Sequence, residues 1–398
     1  MKIGFVTPWY GDNIPGGAEA ELRGIVKHLK GTEAEAEILT TCVEKFGSDW
    51  NKNFHKPGLT EEGGVMVRRF NVRKRDAKAF DMVNYKLMKG LRLTADEEIT
   101  FIDEMINSDD LYAYMDEHRD EYDLFVYIPY MFGTTYNGIS VCPEKSVLIP
   151  CLHDESYIYL SPFKELFPDI AGMIFLSDPE KELAERVYDL TSVDDRTLGA
   201  GVNTEFTSDA QRFRDKFGIK DKFILYAGRK DPGKGVDVLL KFFARYKASH
   251  EDGLKLVLIG GGAIDIPKNI RDDVMDLGFV DIQDKYDAYA AAELLCQPSF
   301  YESFSIVIME SWLAGRPVIV NGKCAVTKNF ASKSNGGLWF TNYPEFEGTV
   351  EYILGHEEEA SQMGINGRKF VKENFAWDVI TDKFIAYFKD LINREGDN

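Results

Sequence analysis

The chain has 398 residues, which at roughly 100–200 residues per domain suits two domains. Hydrophobic residues make up 44% and aromatic residues 13%, enough for large cores and inconsistent with disorder. A formal net charge of −19 excludes a protein that wraps nucleic acid, because phosphates need a basic surface.

Short β-branched runs alternate with amphipathic helical runs along the chain. The first strand candidate, KIGFVTP at 2–8, leads into the loop WYGDNIPGG and then a helix at 19–30. Gly16 and Gly17 let the backbone approach a ligand, and free N–H groups at the helix start favour an anion; an ordinary glycine-rich turn fits as well. Strand candidates follow at 35–43, 64–70, 123–129, 145–153 and 171–177, with a helix at 179–190. Charge is segregated between them. Residues 64–92 hold nine Lys/Arg against two acids, and 95–123 hold twelve acids against Arg119. Two mutually attracting helical faces explain this. A basic patch at Arg68–Arg75 for an anionic acceptor or a membrane surface explains it too. His153 ends VLIPCLH beside Asp154 and Glu155, at a strand end where it could serve chemistry or structure. The aromatic stretches YIPYMFGTTYNG and HDESYIYL suit either a carbohydrate wall or a core.

The polar, glycine-bearing stretch at 199–222 interrupts the alternation and marks a domain boundary. A second strand set follows at 222–229, 254–261, 274–280, 293–299, 316–322 and 336–340, with a helix at 236–249. Strand–helix–strand order in both halves predicts an α/β protein of two doubly wound parallel sheets, with ligands at the carboxyl ends of strands. The first strand of the second half ends in AGRKDPGKG, where Arg229 and Lys234 flank a Pro-Gly turn. Two cations on one tight loop suit a diphosphate, or simply a solvated turn. In SFYESFSIVIME, Ser303 or Ser305 can cap a helix, with Glu302 before it and Glu310 about two turns into it. Were the segment helical throughout, the two carboxylates would lie roughly 12 Å and about 80° apart, room for one elongated hydroxyl-bearing ligand. A capping Glu302 and a solvent-facing Glu310 would give the same spacing. The segment 375–392 reads as an amphipathic terminal helix.

Five cysteines, none in a C-x-x-C pair, read as reduced core thiols. No signal-peptide pattern and no bilayer-spanning apolar run is visible, so the expectation is a soluble cytoplasmic protein, peripheral to the inner membrane face if the basic patch binds lipid.

In chain order these pieces resemble the family 4 retaining glycosyltransferases of the GT-B fold. The resemblance rests on PGGAE, GRKDPGKG, LVLIGGG, GFV at 278–280, ESFSIVIME and the ending GINGRKFVKENFAWDVI. It implies an acceptor-binding Rossmann-like domain at 1–200, a nucleotide-sugar-binding one at 201–375 with a cleft between them, and a terminal helix at 376–398 packing back across the junction. It also implies roles. Arg229 and Lys234 stabilise the leaving diphosphate, beside Gly228. Glu302 lies near the donor sugar hydroxyls, and Ser303, Phe304 and Ser305 contact sugar and phosphate through their backbone. Glu310 holds the ribose, Val280 meets the base, Gly16 and Gly17 meet the diphosphate, and His153 lies near the anomeric centre. The implied partners are a UDP- or GDP-linked hexose donor and a glycan, lipid-linked or small-molecule acceptor. No cofactor is expected, and no metal, since no two aspartates stand two residues apart to form D-x-D. A sugar-nucleotide isomerase or epimerase of the same fold, or a non-catalytic sugar-nucleotide-binding protein, are the alternatives.

Overall fold

The computed structural model describes residues 1–396. The chain forms two compact units: Met1–Gly201 together with the chain from Asp378 onward, and Val202–Trp377. The last two residues of the expected 376–398 segment lie outside the described residues.

In the first unit the strands are β1 (Lys2–Thr7), β2 (Glu35–Thr41), β3 (Gly58–Glu62), β4 (Val65–Phe70), β5 (Leu124–Tyr127), β6 (Ser146–Leu148), β7 (Gly172–Phe175) and β8 (Asp194–Thr197). They form one sheet in the order β3-β4-β2-β1-β5-β6-β7-β8, parallel except for the β3–β4 pair. The central strands are buried along their length, which is why FVT and LFVY read as unbroken apolar runs. The edge strands carry no such signal. GLTEE is almost wholly exposed and DDRT is polar, so neither was predicted.

The charged middle, 71–123, folds as three short helices with well-made starts. Asp76 accepts from the backbone of Lys78 and Ala79 at the head of Ala77–Met88. Thr94 and Glu97 form a capping box for Ala95–Asp103, and Ser108 caps Asp109–His118. The basic and acidic blocks meet each other: Lys86 pairs with Glu97, and Arg73 lies 3.4 Å from Asp109. The expected patch at Arg68–Arg75 is committed to internal partners. Arg68 binds Glu37 at 2.8 Å; Arg69 binds Glu62 and, at 2.9 Å, the carbonyl of Tyr10. Arg75 donates to the carbonyl of Glu104 and Lys74 to that of Asn51. The terminal helix, Trp377–Gly396, packs against the β7–β8 edge, where Tyr387 donates to the carbonyl of Asp194 and Arg196 meets Asp390 at 2.8 Å.

The second unit holds β9 (Phe223–Ala227), β10 (Lys255–Ile259), β11 (Val274–Asp276), β12 (Leu294–Gln297), β13 (Val318–Asn321) and β14 (Gly337–Phe340). They form a parallel sheet in the order β11-β10-β9-β12-β13-β14. The order reverses between β9 and β12, which makes their carboxyl ends the switch point where such sheets bind ligands. Val202 and Ala376 form an isolated parallel bridge within this unit.

Candidate functional site

The switch point of the second unit gathers most of the predicted residues. β9 runs into Gly228 and the exposed Arg229, and then a turn in which Asp231 accepts from the backbone N–H of Lys234. The helix Val236–Ser249 starts after Gly235, whose φ is 67° and where a Cβ would stand 2.4 Å from the carbonyl of Pro298. That approach, with Phe300 N–H donating to Gly233 at 3.2 Å, joins the turn to the loop after β12. Across the junction the Lys234 ammonium donates to Glu302 Oε1 at 2.8 Å. Gln297, at the end of β12 and buried, donates to the same oxygen at 3.2 Å and to Ser305 Oγ at 3.3 Å. Sequence reasoning missed Gln297; its one signal is a polar residue closing an apolar strand.

Ser305 occupies the N-cap position of the helix Ile306–Leu313, but not as a conventional cap. Its backbone is left-handed (φ 82°) and its hydroxyl makes no capping bond to the helix. Neither Ser303 nor Ser305 therefore caps as expected, and the helix start leaves backbone N–H groups for another partner. Phe304 is core, edge-on to Phe330 and Phe375, so only its backbone is available to a ligand.

Glu310 is the fifth residue of that helix, just over one turn in, and it is buried. The solvent-facing alternative is thus excluded. Its carboxylate takes the Lys285 ammonium at 2.6 Å and the Tyr289 hydroxyl at 2.9 Å, both from the helix Ile282–Ala291. Each glutamate of the pair has its own lysine, and Lys285 and Tyr289 were invisible to motif reading. Arg229 is not drawn into either pair: its side chain is 75% exposed and 3.6 Å from Asp231. Val280 is half-buried in the loop after β11, next to Phe279, which is 86% exposed. A cavity of about 320 Å³ elsewhere in the unit, walled by Lys222, Glu293, Arg316 and Glu357, contains none of these residues. The charges gathered at the strand ends mark the candidate site.

In the first unit the glycine loop stands at the carboxyl end of β1, braced by Arg23, which donates to the carbonyls of Gly11 and Ile14. Gly16 has φ 148° and is covered by the Glu19 carboxylate, which also accepts from the Trp9 indole at 2.8 Å. Gly17 has nothing within 4 Å of where a Cβ would lie. His153 is half-buried, with Nδ1 3.2 Å from Glu155. The aromatic stretches divide between the two expectations: Tyr127, Tyr130 and Phe132 are core, while Tyr159 stays 47% exposed. Two carboxyls that the sequence did not single out lie beneath these loops. Glu21 accepts from Gly201 N–H at 3.3 Å, and Glu180 accepts from Leu152 and Leu176 N–H at 2.7 Å each. Burial pushes both up to about 8.

Two Rossmann-like parallel sheets in one chain define the GT-B class, and solved structures of that class match nearly end to end. Sucrose-phosphate synthase from Thermosynechococcus elongatus superimposes with a TM-score of 0.71 at 16% identity, over 99% of both chains. Anabaena HepE, solved with UDP-glucose, gives 0.66 at 17% identity over 98% of this chain and 100% of that one. Residues 208–370 match the family described as glycosyl transferases group 1. A D-inositol 3-phosphate glycosyltransferase of Saccharomonospora viridis is 30% identical over 240 residues, 55% of this chain and 56% of that protein. The chain spans about half the length of the curated relatives it matches.

Proposed function

We propose that the protein is a family 4 retaining glycosyltransferase, moving a hexose from a UDP- or GDP-linked donor to a glycan, lipid-linked or small-molecule acceptor in polysaccharide or glycoconjugate synthesis. The observation that carries this reading is the Lys234–Glu302 contact across two strand-end loops of the second unit, inside the segment that matches the family. A donor diphosphate replaces Glu302 as the partner of Lys234 and recruits Arg229, which is already extended into solvent. Glu302, released, accepts from the sugar hydroxyls, while Gln297 keeps it oriented. Glu310 accepts from the ribose hydroxyls, with Lys285 and Tyr289 fixing its carboxylate. Backbone N–H groups at 303–305 and Val280 complete the contacts to phosphate, sugar and base. As the anomeric bond breaks, Arg229, Lys234 and the open helix start stabilise the charge on the departing diphosphate without a metal. The acceptor proton passes to a donor phosphate oxygen. Acceptor binding is assigned to the first unit, with His153 and the Gly16–Gly17 loop as its proposed contacts.

The test is donor turnover with purified protein across UDP- and GDP-hexoses, comparing the native chain with Lys234→Ala and Glu302→Ala. Loss of transfer in both supports the reading. Full activity in both overturns the site, and donor binding without turnover in the native chain points instead to a binding protein.

For a lipid-linked acceptor the membrane contact shifts from Arg68–Arg75 to the helix Ala77–Met88. This helix is apolar on two sides: Phe80, Val83 and Leu87 are buried, while Met82, Tyr85 and Met88 are 67%, 60% and 70% exposed. Lys78 stands on this helix and Lys89 and Arg92 just beyond it, with Asp76 and Asp81 the opposing acids. Among the described residues no helix is long and apolar enough to cross a membrane, so this contact is interfacial. Sedimentation with anionic vesicles at low salt should lose the protein's binding in Met82→Ser/Met88→Ser and keep it in Arg73→Ala; the reverse pattern rejects the helix.

A further inference from the structure

Lys230 has no part in the reading above, yet it is the most enclosed cation of the site. Its side chain is 1% exposed. Its ammonium donates to the carbonyl of Gly260 and to Asp276 Oδ1, both at 2.7 Å, with the carbonyl of Gly262 at 3.5 Å. Two of these acceptors, Gly260 and Gly262, lie in the loop after β10 and the third, Asp276, ends β11, while Lys230 itself follows β9. The backbone repeats the tie. Lys230 N–H donates to Gly261 at 2.8 Å, Gly228 N–H to Ile259 at 3.0 Å, and Gly260 N–H to Gly278 at 2.7 Å. Asp276 Oδ1 accepts from Gly278 N–H as well, at 3.0 Å. One ammonium therefore fastens three consecutive strand-end loops.

A buried ammonium is expensive to desolvate, and an apolar side chain of the same length would fill this space without that cost. What the apolar replacement could not do is fix the loops against one another. The first of them carries Arg229 and Lys234; the third carries Phe279 and Val280. Resting on the nucleotide-sugar reading, we propose that Lys230 is a positioning residue that sets the spacing between the diphosphate-binding turn and the loop that meets the nucleobase. It touches neither part of the ligand. Its effect is therefore confined to ligands long enough to engage both loops at once.

The experiment compares binding of UDP, GDP and inorganic pyrophosphate to the native chain and to Lys230→Met, by calorimetry. Pyrophosphate reaches only the cationic turn; the nucleotides span both loops. The expected result is a loss of about tenfold or more for the preferred nucleotide and a change of less than about twofold for pyrophosphate. Asp276→Asn keeps the ammonium and its carbonyls and should show the same selectivity at about threefold, and it carries the test if Lys230→Met does not fold. Equal losses for nucleotide and pyrophosphate mean general loosening and overturn the proposal. So does unchanged nucleotide binding in both variants. A native chain that binds neither UDP nor GDP fails at the earlier step, and rejects the nucleotide-sugar reading itself.

Discussion

The strand ends of the two units handle buried and half-buried carboxyls in opposite ways. In the second unit Glu302 and Glu310 each face a lysine, at 2.8 and 2.6 Å. In the first, Glu21 and Glu180 meet only backbone N–H groups, and burial holds both near 8. An ion pair at a loop is an exchangeable arrangement, because an incoming anion can take the lysine and free the carboxylate for hydroxyls. A carboxyl held by backbone N–H groups, through both oxygens for Glu180 and through one for Glu21, is a fixed one, serving the fold beneath the loops. On the proposed reading, the same sheet architecture holds one set of acids ready for a ligand and another as internal struts.

The largest effect that would break this comparison is on chemistry. Lys234→Ala removes the charge that the exchange needs, and transfer should fall by about 10²–10³-fold, as for other donors that stabilise developing charge. The melting temperature should barely move, since the pair is partly exposed and such pairs add little stability. A loss of activity tracking a loss of folding would instead make Lys234 a strut like Glu21.

Next comes a backbone position on which the second unit's loops depend. Gly260 has φ 121°, and a Cβ there would fall 2.1 Å from the carbonyl of Gly228. Gly260→Ala should destabilise by about 2–4 kcal/mol, through a left-handed backbone and a contact that cannot relax without moving the strand ends. Gly17→Ala in the first unit is the control, with open space around it and a helix start that alanine favours. Thermal melts should separate the two by several degrees; coincident melts would mean the loop stack is pliant.

How much of this could be read beforehand follows the same division. The apolar runs of β9, β10, β12 and β13 and the motif residues on their ends were legible, because parallel strands buried on both faces leave continuous hydrophobic signals. The glutamate pair was legible, but its setting was not: Glu310 stands just over one turn into its helix where two were expected, its partners Lys285 and Tyr289 come from a helix with no motif, and Gln297 is one amide at the end of a strand. The non-capping, left-handed Ser305 ran against the usual preference of serine for capping, a local rule set aside at a candidate site. In the first unit, β3 and β8 were missed because edge strands are polar. The arginines of 68–75 looked available because charge counting cannot see that Glu37, Glu62 and the carbonyls of Tyr10 and Glu104 take them.

An effect that appears only as pH is varied sharpens the first unit's side of the comparison. Glu21 has one hydrogen bond, from Gly201, and its Oε2 has no partner. Burial raises it from the ordinary 4.5 to about 8, so the folded chain keeps a proton that the unfolded chain releases. The stability this proton confers is fully present below 4.5, declines as pH rises through the window, and is gone above 8. The slope is at most about 1.4 kcal/mol per pH unit for one group. Glu21→Gln presents a neutral side chain that still accepts from Gly201, so it should erase this slope. Its melting temperature relative to the native chain should rise steadily between pH 5 and 8, and then level off. Parallel profiles across that range would show Glu21 to be ionised in the fold, with a counter-charge of the kind that Glu302 and Glu310 have.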